Sequence, residues 1–228
     1  MFQRLLTCAL LAGAGAGLVA AILQLWFVQP VLLHAELYEQ GTLTHFGPDA
    51  VSAHPELGRL DPVRDGLSVF FSMLTYTGFA LLLVAAMALA EERGAAIDAR
   101  KGLVWGLAGF AVLHLAPAFS LAPEVPGAAA ADVTQRQIWW FATVAAAAVA
   151  AGLIAFGKHW IAWVAAVILI LAPHAIGAPE PDRFAGPTPP ELSALFAARS
   201  LGVALAGWLV LGLLAGHVWS RDAADAPE

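Results

Sequence analysis

Two histidines stand inside long apolar runs, each beside a proline: Leu113-His114-Leu115-Ala116-Pro117 and Ala172-Pro173-His174. An ionisable side chain in hydrocarbon is costly enough to mark a functional candidate. Proline has no backbone N–H to donate and frees a carbonyl one turn earlier. Open backbone of that kind is tolerated at membrane depth only inside protein or beside a polar cavity, and transporters place ion sites there. Gln24 lies in the first apolar run, and His34, Glu36, Glu39 and Glu124 stand just beyond the ends of their runs. Imidazole nitrogens and oxygens without thiolates suit a borderline divalent ion such as cobalt, nickel or zinc. The pattern therefore reads as a metal path. His45, His54 and Glu56, with His34, gather the ion weakly. His174, Glu124 and the Glu36/Glu39 rim strip its water, and His114 with Gln24 and a carbonyl near Pro117 forms a deeper site.

Each residue also has a plainer reading. A histidine at a helix end commonly bonds a carbonyl or water, Gln24 can bond a neighbouring helix, and His45 and His54 can be solvated loop residues. His159 and His217 read as interfacial. Glu36 and Glu39 are three apart, so on a helix they share a face and repel unless a cation lies between them. Glu124 sits in Pro123-Glu124-Val125-Pro126-Gly127, a stiff turn that holds its carboxylate in place. The chain carries no G-x-S-x-G elbow, no H-E-x-x-H, no P-loop and no Cys-x-x-Cys, so neither an enzyme nor an ATP-driven pump is expected. Two alternatives stay open: His114 and His174 as axial ligands of a haem, or a non-transporting scaffold whose histidines only donate hydrogen bonds.

The elements that must position these groups are membrane helices. Hydrophobic residues make up 60% of the 228 and charged ones only 12%, about half the charge a soluble surface needs. A net charge of −6 lacks the basic face a nucleic-acid partner requires. The lone Cys8 excludes a disulfide within the chain and reads as a buried thiol. About 20 apolar residues cross a bilayer, and the runs predict one all-α transmembrane domain over 1–228. It has about six spans, near 5–28, 66–90, 102–123, 138–157, 160–179 and 190–220. Lys158 and His159 alone separate the fourth and fifth, which as one helix would be twice the required length. Residues 40–65 and 179–190 read as loops. Thr188-Pro189-Pro190-Glu191 reads as a capping box opening a last helix too long for the hydrocarbon.

Small residues four apart, Gly13/Gly17, Gly102/Gly106 and Gly212/Gly216, predict faces where helices approach closely. With the N-terminus inside, six Lys/Arg fall in the inner segments against five in the longer outer loops, which favours both termini in the cytoplasm. Trp26, Trp139 and Trp140 would then mark the outer interface, and Trp105, Trp160 and Trp219 the inner one.

Several ordered segments carry a resemblance. They are Gln24 with Pro30 and Ala35-Glu36-Leu37-Tyr38-Glu39; Trp105-Gly106-Leu107-Ala108-Gly109-Phe110 with Ala116-Pro117 and the Pro123–Gly127 turn; Arg136-Gln137-Ile138-Trp139-Trp140; and Pro173-His174-Ala175-Ile176-Gly177-Ala178-Pro179. In this order, from Leu5 to about Trp219, they resemble the CbtA family, described as the membrane subunit of a cobalt transporter. The resemblance implies cobalt uptake across a bacterial inner membrane, linked to cobalamin supply. Cobalt(II) or a related divalent ion is the expected substrate, and no tightly bound cofactor is expected. The resemblance also implies a small CbtB-type partner with one span, besides membrane lipid and a homo-oligomer as compatible partners. Two departures stand out: the loop after Glu39 holds only His45 and His54, and Glu180 stands where the family pattern suggests a histidine.

Overall fold

A computed structural model describes residues 2–45, 55, 57 and 61–224, with side chains through 221. His54 and Glu56 lie outside the described residues. Every regular element among the described residues is helical: α1 (Phe2–Leu23), α2 (Gln29–Glu39), α3 (Pro62–Glu91), α4 (Ala99–Phe110), α5 (Ala116–Ala118), α6 (Val133–Phe156), α7 (Trp160–Ile176) and α8 (Pro190–Ala224). Five stretches are long and apolar enough to cross a bilayer: Phe2–Glu39, Pro62–Glu91, Ala99–Ala118, Val133–Phe156 and Pro190–Arg221. A sixth, Trp160–Ile176, is equally apolar but has 17 residues, about 26 Å of helix. The chain is a multi-pass membrane protein.

Two of these stretches are interrupted in the same way. A π-helical turn over Gln24–Val28 joins α1 to α2, and another over Ala111–Leu115 joins α4 to α5. Each ends two residues before a proline, Pro30 and Pro117. The proline ring displaces the carbonyl one turn earlier and leaves it without its usual donor, and widening the helix to π spacing accommodates both. Such turns are rare and recur at functional sites. Gln24 and His114 both fall within them.

Several boundaries differ from the sequence reading. The first helix does not stop near Val28 but continues to Glu39, so Glu36 and Glu39 are helical and share the α2 face. α3 starts at Pro62 rather than Gly66. The Asp61 carboxylate accepts from the N–H groups of Val63 (2.9 Å) and Arg64 (3.1 Å), and proline takes the first helical position. The third stretch ends at Ala118, and α7 ends at Ile176, where Gly177 turns out with φ +98°. The Thr188 capping box does not form as expected, because α8 begins at Pro190 and the Thr188 hydroxyl donates to the Pro126 carbonyl at 2.7 Å. The turn between α6 and α7 at Lys158-His159 is as expected.

The chain forms two compact units. The first comprises residues 1–28, 58–110 and 202–228. Here α1 lies on α3 with Gly13 against Thr77 and Gly17 against Met73, while Gly102 and Gly106 of α4 meet Gly212 and Trp208 of α8. At Gly102 an added Cβ would collide with the Gly212 carbonyl oxygen, so only glycine permits this backbone approach. Arg4 ties three helices at one end of the unit. Its guanidinium lies 3.8 Å from the Trp219 ring centroid, donates to the Trp219 carbonyl at 2.6 Å and is 3.6 Å from Glu91. The Trp219 indole donates to the same Glu91 at 3.1 Å. Cys8 is buried, with its thiol 3.4 Å from the Ala215 carbonyl.

The second unit comprises residues 29–57 and 111–201. α6 and α7 form its antiparallel hairpin, with α2, α5 and the segments 119–132 and 177–189 completing it. Not every tryptophan expected at an interface faces outward. Trp26 and Trp160 are well exposed, whereas Trp139 and Trp219 are buried in their own units and hydrogen-bonded there.

Candidate functional site

Every described metal candidate except Gln24 belongs to the second unit; Gln24 is half-buried in the first. Within the second unit several of these groups contact residues outside the candidate set, His174 meeting Ser120 and Glu124 meeting Arg136. Among the described residues, no three His, Cys, Asp or Glu side chains converge closely enough to hold a metal ion together.

His174 has the most defined setting. Pro173 sits inside the last turns of α7, and its carbonyl accepts from Gly177 N–H (3.1 Å) and from the Trp139 indole (3.2 Å). The helix end is thereby pinned to α6. The imidazole lies between two rings, with Phe119 at 5.0 Å and Trp139 at 5.7 Å between centroids, both edge-on. Its Nδ1 shares a 2.8 Å hydrogen bond with the Ser120 hydroxyl. When Nδ1 carries the proton it donates to Ser120, and the Nε2 lone pair is left for a cation. An imidazole oriented through its other nitrogen is the usual arrangement of a metal-binding histidine.

Glu124 is paired differently. Its carboxylate lies 2.6 Å from the Arg136 guanidinium, both side chains about one-quarter exposed. The turn that carries it is held on three sides. Val125 is buried, the Pro126 carbonyl accepts from Thr188, and Gly127 takes φ +74°. Gly127 packs so closely on Glu39, Pro187 and Thr188 that a Cβ there would lie 2.5 Å from the Thr188 hydroxyl oxygen. The stiff turn read from Pro123–Gly127 is thus also a packed one, and it abuts the α2 residue Glu39.

Arg136 lies in the first turn of α6, after Asp132, whose carboxylate caps Gln135 N–H at 3.1 Å. A cation there faces the positive end of the helix dipole, and the Glu124 carboxylate offsets that repulsion. Beside Arg136 opens a groove of about 380 Å³ lined by Leu121, Val133, Arg136, Gln137, Trp140 and Phe141.

His114 is half-buried on the π-helical turn before α5, next to the fully buried Pro117. Glu36 is half-buried and Glu39 exposed. His34 is buried against Tyr38 at 5.4 Å between ring centroids, and His45 meets the same tyrosine edge-on at 6.4 Å. His45 is thus packed on a ring rather than standing in open loop.

Ser120, Phe119 and Arg136 did not stand out as site residues in the sequence, and Trp139 read only as an interface marker. One signal was available for Arg136. A lone arginine in the first turn of a helix needs a carboxylate, and the preceding turn offers Glu124.

A model of the CbtA family, described as a probable cobalt transporter subunit, matches residues 2–220. The chain belongs to that family. No curated protein and no solved structure matches it.

Proposed function

We propose that this CbtA-family chain works as a permease component, not an enzyme, and carries cobalt(II) inward across a bacterial inner membrane. In this reading both units act as one transmembrane domain with both termini cytoplasmic, and the second unit receives the ion. A CbtB-type single-span protein is the partner, since the family is one of transporter subunits. Surrounding lipid and further copies of the chain complete the assembly.

The observation that carries this reading is His174, anchored through Nδ1 to Ser120 and steadied by Phe119 and Trp139. With the proton on Nδ1, that setting orients the imidazole so that its Nε2 lone pair can meet a cation. Glu124 and the Glu36/Glu39 face of α2 supply carboxylates in the same unit, His34 and His45 supply further imidazoles, and His114 is assigned the deeper position. Ligands that, among the described residues, are not gathered into one tight cluster fit a cargo ion, which must bind well enough to enter and weakly enough to leave. Moving two positive charges inward through 100 mV releases about 4.6 kcal/mol, which drives accumulation without ATP.

The test is radioactive cobalt accumulation in a strain that depends on this protein. His174→Ala, His114→Ala and Glu124→Gln are each compared with the parent at matched membrane expression. Loss of accumulation in these variants, with His159→Ala unchanged, is the expected outcome. Parental accumulation in all three removes the site.

A further inference from the structure

We propose that Arg136 is an internal counter-cation that occupies Glu124 in the absence of cobalt and must be displaced for the ion to reach that carboxylate. The proposal rests on the reading of Glu124 as a cobalt-receiving group and adds to it the residue that sets how tightly cobalt binds.

Three features of the second unit carry it. First, the guanidinium and carboxylate are 2.6 Å apart, a charge-assisted contact that takes up lone pairs a metal ion would need. A divalent ion must therefore compete with the guanidinium for the carboxylate. Second, the two partners are not equally free to move. Glu124 stands on a turn held by buried Val125, by the Thr188–Pro126 hydrogen bond and by the packed, left-handed Gly127. Arg136 is a long side chain on the first turn of α6 with the groove of about 380 Å³ at its flank. Third, that groove offers the cation a second place. Trp140 and Phe141 supply aromatic surface on which guanidinium groups stack favourably, and Gln137 adds a polar group. Cobalt arriving at Glu124 replaces one positive charge with two, and the guanidinium swings to the groove.

A resident cation lowers apparent affinity for an incoming one, which suits a carrier that must release its cargo. Removing the arginine should therefore tighten binding, the reverse of what loss of a structural salt bridge alone would do.

The test is calorimetric titration of cobalt(II) chloride into the purified full-length protein in detergent. Parent, Arg136→Gln, Arg136→Lys, Glu124→Gln and the Glu124→Gln/Arg136→Gln double variant are compared. The expected order of affinity is Arg136→Gln tightest, by about tenfold over parent. Arg136→Lys comes next, because the shorter, more strongly hydrated ammonium does not reproduce the guanidinium contact. Glu124→Gln is weakest, and the double variant matches it. If Arg136→Gln is not recovered folded, Arg136→Lys decides the matter, and parental affinity in it overturns the proposal. Equal or weaker binding by a folded Arg136→Gln overturns it too, while a weakened Glu124→Gln in the same series leaves the cobalt role of Glu124 standing. Parental affinity in Glu124→Gln defeats the underlying reading instead.

Discussion

The two units solve opposite problems with the same kind of helix. In the first, glycines at four-residue spacing bring α1 onto α3 and α4 onto α8 until backbones touch. Its principal charged cluster, Arg4 with Glu91 and Trp219, is closed on itself through an ion pair, a ring contact and two hydrogen bonds. In the second, prolines replace glycines as the decisive residues. They follow the π-helical turn at Pro117, stand inside the last turns of α7 at Pro173 and stiffen the turn around Glu124. Its polar pairs, Ser120 with His174 and Glu124 with Arg136, remain partly exposed. The units thus differ in how their helices meet rather than in how far their ion pairs are buried, since Arg4–Glu91 is 26% and 40% exposed and Glu124–Arg136 26% on each side.

The largest effect should come from breaking the packing side of this contrast. Gly102→Leu or Gly212→Leu drives a side chain into a facing carbonyl, and neither should yield a monodisperse peak on size-exclusion chromatography. Recovery of parental protein from both would show that the seam is not needed. The chemistry side breaks next: His174→Ala should fold normally on the same column yet fail to accumulate cobalt. A milder change in the same place sharpens the distinction. Ser120→Ala keeps the imidazole but frees its orientation, and cobalt affinity should fall about tenfold, the lower range for losing an outer-shell partner. An unchanged titration would mean that the hydroxyl does not orient the ring. Smaller still is Arg4→Gln, which should reduce thermal stability by about 1–2 kcal/mol while leaving transport intact. A transport defect without a stability change would place Arg4 in the chemistry rather than the scaffold.

Much of the scaffold was legible in the sequence, because a membrane helix needs only length and apolar content to declare itself. The glycine pairs were legible too, since small residues four apart leave one interpretation in lipid. Boundaries were less so. Asp61-Pro62 starts α3 earlier because capping chemistry acts outside the apolar run, and the first helix runs on to Glu39 because its polar end resembles a loop in composition. The site was visible as a set of residue types but not as pairings. Ser120 and His174 stand 54 positions apart, and no periodicity relates them. Arg136 entered as a charge for orientation and as part of the Arg136–Trp140 segment of the resemblance, but not as the partner of Glu124. Trp139 and Trp219 were misassigned to lipid-facing belts for a related reason. Tryptophan reads as an interfacial residue by type, whereas both rings are buried and each indole N–H finds an acceptor in its own unit.

The central claim, that the second unit presents His174 and Glu124 to cobalt, is tested most directly by cobalt K-edge X-ray absorption on the purified protein loaded with cobalt(II). The account predicts nitrogen and oxygen ligands with the multiple-scattering signature of imidazole, diminished in His174→Ala. An oxygen-only shell without imidazole, identical in parent and variant, would contradict it.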